Sequence, residues 1–263
     1  MIALGVKAFW LEPASLTVVD EHIAIPANLS QPLRIAVLTD LHVGSPFNGI
    51  DNLRKVVDLT NASQPDIICI LGDLVIQGVR GGTFVAPEAI AVELKRLQPA
   101  GQVFGVLGNH DGWLDHDRVA AALRENGVRL VEDRAERIDT KAGPLWIAGV
   151  SDLWTGKHDL QAASGSITDG VEPAILLTHS PDIFPDVPAR ISLTLAGHTH
   201  GGQVRFPFVG APIIPSKYGT RFAAGHIVES GKHLFVATGI GTSILPVRFR
   251  VPPAITLLTI SGR

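Results

Sequence analysis

The sequence predicts an α/β protein in which mixed β-sheets pack as a sandwich flanked by helices. In the first half of the 263 residues, apolar strand-like runs alternate with helical patterns, whereas the second half contains mostly strand patterns. Hydrophobic residues make up 46% of the chain, which is enough for a large core. No stretch is long and polar enough to act as a linker, so residues 1–263 are predicted to form a single domain.

The elements of the first half follow in order. Alternation and β-branched residues predict a strand at 16–25, and compact apolar runs predict strands at 34–39, 66–71 and 102–107. Apolar residues at helical spacing predict helices at 49–62, 87–97 and 115–126. Gly127 follows the third of these and is expected to end it.

The second half is predicted to consist of short strands separated by Gly, Pro and Asp. They lie at 135–140, 145–150, 174–178, 192–196, 225–229, 233–237 and 254–260. The single cysteine, Cys69, lies inside the apolar run of 66–71, so we expect a buried side chain rather than a reactive thiol.

Charge is unevenly distributed along the chain. The net charge of -3 gives no support for nucleic-acid binding. Residues 187–263, however, carry eight cations and one acid. This basic part could face an anionic substrate or surface, or its charges could simply be scattered and solvated.

The apolar stretch at 2–11 is too short to span a membrane and contains Lys7. It lacks a cleavage site of the usual signal-peptide form, although it could be the remnant of a longer N-terminal anchor. A cytoplasmic or membrane-associated protein is therefore expected.

Five short polar motifs each directly follow a predicted strand. They are Asp40-Leu41-His42, Gly72-Asp73, Gly108-Asn109-His110-Asp111, Thr178-His179-Ser180-Pro181 and Gly197-His198-Thr199-His200-Gly201-Gly202. Strand ends are where a sheet can hold polar groups at an open edge. Imidazole and carboxylate ligands together suit manganese, iron or zinc, and a carboxylate can bridge two ions. The Asp-X-His and His-X-His spacings are expected to place both side chains on one side of an extended strand end.

The order of these motifs resembles that of the calcineurin-like metallophosphoesterase superfamily, over residues 40–202. The resemblance implies a four-layer sandwich of two mixed β-sheets flanked by helices, with a dinuclear metal site at strand ends. The chain after Gly202 resembles a bacterial, often membrane-associated branch that includes phosphodiesterases and lipid A precursor pyrophosphatases.

The resemblance also implies a role for each motif residue. The first metal would be bound by Asp40, His42, Asp73 and His200. The second would be bound by Asp73, Asn109, His179 and His198, with Asp73 as the bridge. His110 would approach the phosphate and protonate the leaving group, while Asp111 either orients His110 or, as we prefer, closes the turn.

The predicted activity is hydrolysis of phosphodiester or diphosphate bonds through a metal-bridging hydroxide. The cofactors would be two divalent or trivalent ions, with Mn²⁺ preferred over iron or zinc. Phosphoprotein phosphatases of the superfamily carry Asp and Arg where this chain has Ile76 and Gln77, and Arg where it has Leu107. These differences disfavour a phosphoprotein substrate.

The substrate is the most open part of the prediction. The segment 204–222 is rich in proline and large apolar residues and could border the active site, binding a lipid-linked substrate and contacting a membrane surface. Its candidate substrate-binding residues are Arg205, Lys217, Tyr218 and Arg221. The alternatives are an ordinary packed loop, a soluble enzyme for small nucleotides, a non-catalytic metal-binding scaffold, and a metallohydrolase for amide or lactam bonds.

Overall fold

A computed structural model of the protein describes residues 2–99, 101–167 and 172–262. The first of its two mixed sheets contains strands from both ends of the chain. These are β1 (Thr17–Ile25), β2 (Leu33–Leu38), β3 (Ile67–Ile70), β4 (Val103–Gly105), β5 (Arg129–Leu130) and β12 (Ala254–Gly262). Their order is β1-β12-β2-β3-β4-β5. Strands β2 to β5 are parallel, whereas β12 is antiparallel to β2.

The second sheet is built from the second half of the chain. Its strands are β6 (Arg134–Thr140), β7 (Gly143–Gly149), β8 (Ala174–Leu177), β9 (Leu193–Ala196), β10 (Gly225–Glu229) and β11 (Lys232–Val236). Their order is β10-β11-β9-β8-β7-β6, with β7, β8, β9 and β11 parallel and both edge strands antiparallel to their neighbours.

Five α-helices complete the described fold. They are α1 (Ile2–Val6), α2 (Ile50–Ala62), α3 (Pro87–Leu94), α4 (Asn109–Glu125) and α5 (Leu160–Gly165). Helices α2, α3 and α4 pack on the outer face of the first sheet, and α5 packs on the second sheet. A short π-helical turn, Lys7–Leu11, continues α1. No helix within the described ranges is long and apolar enough to cross a membrane.

Three apolar layers hold this arrangement together. In β2, Ile35 and Val37 point to the layer between the sheets, whereas Ala36 and Leu38 point to the layer beneath the helices. A strand buried on both faces needs apolar residues at every position, which explains the continuous apolar runs in the sequence. The predicted sandwich of two mixed sheets flanked by helices is confirmed.

Two local expectations were incomplete. The helix predicted at 115–126 begins six residues earlier, at Asn109, and continues through a kink at Asp115. The polar start of this helix hides its periodicity, because Asn109, His110 and Asp111 are buried by other elements rather than by the helical layer. The helix ends at Gly127 as predicted, with φ of 88°. The two-residue strand β5 was missed because it is too short to show alternation.

Candidate metal centre

The five polar motifs come together at one edge of the sandwich. Strands β2, β3 and β4 are parallel neighbours, so the loops after them leave the first sheet at the same edge. The loops after β8 and β9 leave the second sheet on the same side. Three groups of ligand atoms result, each within 4.8 Å of one another: Asp40 with His42 and His200, Asp73 with His42 and His110, and Asp73 with His179 and His198.

The first set of predicted ligands is compact and buried. His200 Nε2 lies 3.2 Å from Asp40 Oδ1 and 3.1 Å from His42 Nε2. Asp40 Oδ1 has no hydrogen-bond donor in the described part of the chain. A buried carboxylate oxygen without a donor is costly unless a cation lies beside it.

The second set lies on the other side of Asp73. His179 Nε2 is 3.2 Å from Asp73 Oδ2, 3.2 Å from Asn109 Oδ1 and 3.1 Å from His198 Nδ1. Asp73 Oδ2 is also 3.6 Å from His42 Nε2 in the first set. Asp73 therefore lies between the two sets, where a bridging carboxylate would be required. We call these seven residues the ligand cluster: Asp40, His42, Asp73, Asn109, His179, His198 and His200.

Hydrogen bonds to main-chain carbonyls fix two of the imidazole rings. His42 Nδ1 donates to the carbonyl oxygen of Val75 over 3.1 Å, and His179 Nδ1 donates to that of Leu71 over 2.7 Å. When neutral, both rings must direct the lone pair of Nε2 into the cluster. Converging lone pairs and carboxylate oxygens repel one another without a cation, so the residues present fit a metal centre.

The electrostatics of the cluster also favour added positive charge. Burial opposes ionisation of His179, but the Asp73 carboxylate and its hydrogen bond outweigh burial and raise the pKa of His179 to about 10. Burial, reinforced by the charge of Asp73, raises the pKa of Asp40 to about 6. Both shifts have the direction expected where buried carboxylates lie close together, and such a site favours added positive charge.

The backbone at these residues differs from the predicted extended conformation. Asp40, His42, Asp73, His198 and His200 all have positive φ angles, between 37° and 68°. Strand β2 ends at Leu38, before Asp40, and strand β9 ends at Ala196, before His198. Left-handed turns then direct the ligand side chains inward. Such strained residues persist where the surrounding structure holds them, and they concentrate at functional sites.

His110 lies beside the cluster with its ring centroid 4.8 Å from that of His42. Its backbone N–H donates to Asp73 Oδ1 over 2.8 Å, and its Nδ1 has no partner among the described residues. Burial lowers the pKa of His110, which makes its protonated form a stronger acid. Asp111 does not contact this ring. Its carboxylate accepts hydrogen bonds from the backbone of Gly108 and Leu74, which confirms the preferred turn-closing role.

The four candidate substrate-binding residues lie apart from the cluster. Arg221 forms a bidentate ion pair with Glu229, so its charge is already paired on the surface. Tyr218 packs against Phe222, and the Lys217 ammonium lies 5.0 Å from the Tyr218 ring centroid. The Arg205 side chain has no ion-pair partner in the described chain. None of the four lines the cleft over the ligand cluster, and their role in substrate binding stays a prediction.

That cleft has a volume of about 400 Å³ and contains residues that the motifs did not reveal. Trp113, Trp154, Ile213, Pro215 and Ile244 are among its lining residues. The two tryptophans are far apart in sequence. Trp113 comes two residues after the Gly108-Asn109-His110-Asp111 motif, whereas no metal motif precedes Trp154 closely.

Arg248 was counted among the basic residues of the C-terminal part, but the structure buries it completely. Its guanidinium donates to the carbonyl oxygens of Thr238, Gly241 and Val251, and Nη2 lies 3.5 Å from His200 Nδ1. Burial lowers its pKa to about 10. Arg248 therefore links the loops behind the ligand cluster through hydrogen bonds, and its buried guanidinium is not exposed to solvent.

Comparison with known proteins shows which family this chain resembles. The sequence profile of the family described as calcineurin-like phosphoesterase matches residues 33–202. The uncharacterized metallophosphoesterase YkuE of Bacillus subtilis (strain 168) is 30% identical over 234 residues, which cover 87% of this chain and 79% of YkuE. The phosphodiesterase YaeI of Escherichia coli (strain K12) is 28% identical over 255 residues, covering 95% and 90% of the two chains.

Solved structures share the fold at much lower identity. The NAD nucleotidase (NadN) of Haemophilus influenzae aligns with a TM-score of 0.52 at 14% identity over 80% of this chain. The chain spans only 45% of the nucleotidase's length, so this likeness concerns the fold alone.

Proposed function

Because the chain belongs to the calcineurin-like phosphoesterase family, and is therefore a metal-dependent phosphoester hydrolase, we propose that it cleaves phosphodiester or diphosphate bonds at a dinuclear centre. Asp40, His42, Asp73 and His200 would hold one ion. The other would be held by Asp73, Asn109, His179 and His198.

The observation that carries this proposal is the absence of cations from the cleft. No Lys or Arg is among the described residues that line it, although two indoles and several aliphatic side chains are. A phosphomonoester carries about two negative charges and usually meets arginine or lysine. A phosphodiester, or a diphosphate with an organic group on each phosphate, carries only one charge per phosphate and two organic groups, so a cleft lined by apolar side chains above the ligand cluster suits it better.

The chemistry divides between the ions and the chain. Two bound ions would lower the pKa of water from 15.7 to about 7 and polarise the phosphoryl oxygens. His110, at the rim of the cluster, protonates the leaving oxygen. Asp73 orients the His110 backbone through its hydrogen bond, and Asp111 ties the same turn to the loop after β3. Mn²⁺ is the ion we propose, since mixed carboxylate, amide and imidazole ligands suit it; iron and zinc are the alternatives.

We further propose that one organic group of the substrate is a lipid. Ile213 and Ile244, which line the cleft, are each about three-quarters exposed, and in the same segment as Ile213, Val209 is about three-quarters exposed and Phe208 is fully exposed. Large exposed apolar patches mark binding or membrane-contact sites. Arg205, next to this patch, is free to meet a phosphate or an anionic headgroup.

Peripheral contact with a membrane would follow from the same surface. Leu4, Phe9 and Leu11, in and just after α1, are also exposed. The backbone joins the two regions, since Arg248 N donates to the Ala8 carbonyl and Arg205 N to that of Phe249. The ammonium of Lys7 lies 5.6 Å from the ring centroid of Phe249. We propose that the protein acts in a bacterial cell, on a substrate presented at a membrane surface.

The test compares a lipid-linked diphosphate with a small chromogenic diester, using protein reconstituted with Mn²⁺. Phe208→Ser and Arg205→Ala should reduce turnover of the lipid substrate in vesicles far more than turnover of the small diester. Val92→Ser, on the exposed face of α3, is the matched control and should change neither rate.

Other outcomes separate the alternatives. Equal losses on both substrates, with no binding of the parent protein to anionic vesicles, would reject the lipid and favour a soluble nucleotide diester. Full metal binding without hydrolysis of any phosphate ester would favour the non-catalytic scaffold.

A further inference from the structure

Two half-exposed tryptophans stand over the ligand cluster. Trp113 is 49% exposed and Trp154 is 56% exposed, and their ring centroids lie 6.1 Å apart with the planes tilted by 58°. Leaving this much indole in contact with water forfeits the free energy that burying it would provide. An exposed indole pair at the mouth of an active-site cleft therefore points to a ligand that covers it.

Each indole contacts a histidine of the reaction centre. Trp113 lies edge-to-face against His110 at 5.0 Å, and Trp154 lies edge-to-face against His198 at 5.2 Å. The pair thus spans the cleft from the proposed acid to a proposed metal ligand. A group bound on these rings would sit beside His110, which is the side from which the leaving group departs.

The two segments that carry the indoles are held in place. A Cβ on Gly112 would lie 2.3 Å from Thr155 Oγ1, so the first turn of α4, just before Trp113, touches the loop after β7, just after Trp154. One carboxylate oxygen of Asp152 accepts hydrogen bonds from the N–H groups of Trp154 and Thr155 and from the Thr155 hydroxyl. Rings held by a rigid scaffold lose little conformational freedom when a ligand binds.

The residues that line the cleft differ in chemistry. Trp113 and Trp154 present aromatic rings, whereas Ile213, Pro215 and Ile244 present only aliphatic groups. Aromatic rings prefer offset-stacked or edge-to-face contacts with other rings. Alkyl chains have no such preference and pack equally well against aliphatic side chains. Trp113 and Trp154 therefore favour a flat ring over an alkyl chain.

We propose that Trp113 and Trp154 form a subsite for a planar aromatic group on the leaving side of the phosphodiester. The inference rests on the proposed function for its position beside phosphorus. Its ligand class is a nucleobase or a simple aryl ring, since both offer a flat π-system. The aliphatic side of the cleft then accepts the second organic group of the substrate.

The experiment uses three methyl phosphodiesters, with a nucleoside, a phenol and a fluoroalcohol as leaving groups, the phenol and fluoroalcohol being matched in pKa. In the parent protein, the ratio of kcat/KM for the phenyl ester over the fluoroalkyl ester should exceed one. Trp113→Ala and Trp154→Ala should each lower that ratio by about 10-fold, the typical scale of one stacking contact. Trp113→Phe and Trp154→Phe should restore most of it.

Two controls make the result specific. Trp10→Ala removes an exposed indole that does not line the cleft and should leave the ratio unchanged. The nucleoside ester identifies the source of the ring: a loss of kcat/KM in Trp113→Ala and Trp154→Ala larger than that of the phenyl ester indicates a nucleobase, and a smaller loss indicates a simpler aryl group.

A second measurement separates this inference from the proposed function. Free adenosine and p-cresol, which lack phosphate, should quench the indole fluorescence of the parent protein, and the Trp113→Ala, Trp154→Ala double variant should lose this quenching. Quenching without hydrolysis of any ester would reject the function and keep the subsite. A phenyl-to-fluoroalkyl ratio unaffected by all four substitutions, or quenching that survives the double variant, would overturn the subsite.

Discussion

The ligand cluster and the segment 204–222 are neighbours along the chain, yet they are built in opposite ways. Every residue of the cluster is buried, and two of its imidazole rings are hydrogen-bonded to backbone carbonyls of the loop after β3. The segment leaves the cluster at Gly202 and exposes Phe208, Val209 and Ile213 to solvent. The first region suits positioning of charge, and the second suits contact with a variable organic group.

The difference implies a division of labour between chemistry and recognition. Substitutions in the cluster should remove metals or turnover for every substrate. Substitutions in the segment should alter the choice of substrate while leaving the metals bound. Each of the following predictions compares a residue in or beside the ligand cluster with a matched residue outside it.

The largest effect is expected for Asp73→Asn. Loss of the charge shared by both ligand sets should abolish hydrolysis of all phosphate esters, measured with a small chromogenic diester. Asp182→Asn is the matched control, because Asp182 is also buried but anchors the segment through Ser216 and Lys217. If Asp182→Asn were equally inactive, the division between the two regions would be lost.

Next in size is His110→Ala. Removal of a positioned acid should lower kcat by about 10²–10⁴-fold while both metals stay bound. The loss should grow as the leaving alcohol becomes a poorer leaving group, which a series of aryl esters measures. His116→Ala, an exposed position on the same helix, should have little effect. Equal losses across the series would argue that His110 does not donate the proton.

Two glycines, one beside the ligand cluster and one in the segment 204–222, allow the effect of an added Cβ on the free energy of unfolding to be compared between the two regions. Gly239 and Gly210 have nearly the same backbone, with φ of 71° and 78°. A Cβ on Gly239 would lie 2.6 Å from Asp40 Cβ, whereas one on Gly210 would meet nothing within 4 Å. Gly210→Ala should cost about 1 kcal/mol of unfolding free energy from backbone strain alone. Gly239→Ala should cost a further ~1–3 kcal/mol from overpacking.

Urea denaturation of both variants measures this difference. Gly239→Ala should also weaken metal binding, since Asp40 must move, while Gly210→Ala should not. Equal destabilisation by the two substitutions would mean that the cluster is no more tightly packed than the exposed segment.

The same contrast explains how far the sequence could be interpreted. The ligand motifs are local: Asp40, Asp73 and His198 each follow an apolar strand, so the strand pattern alone places each of them at the end of a strand. The resemblance to a known family then supplied their roles. The close approach of Gly239 to Asp40 could not be predicted, because it joins residues about 200 positions apart without any local pattern.

Side-chain environments were the other part that local patterns could not provide. Arg248 and Arg221 look alike in the sequence, yet one is buried behind His200 and the other pairs with Glu229 on the surface. Trp113 and Trp154 converge on the cleft only because Gly112 lets the first turn of α4 touch the loop after β7. The left-handed turns at the ligands could not be predicted either, because Asp and His adopt positive φ angles far less often than glycine does.

The central claim is that Asp73 joins two metal ions in one centre, and metal content tests it most directly. The parent protein and Asp73→Asn would be loaded with Mn²⁺, dialysed, and analysed for bound metal per chain, with Asp182→Asn as the control. The account predicts two equivalents in the parent and in Asp182→Asn, and clearly fewer in Asp73→Asn. Two full equivalents retained by Asp73→Asn would contradict it.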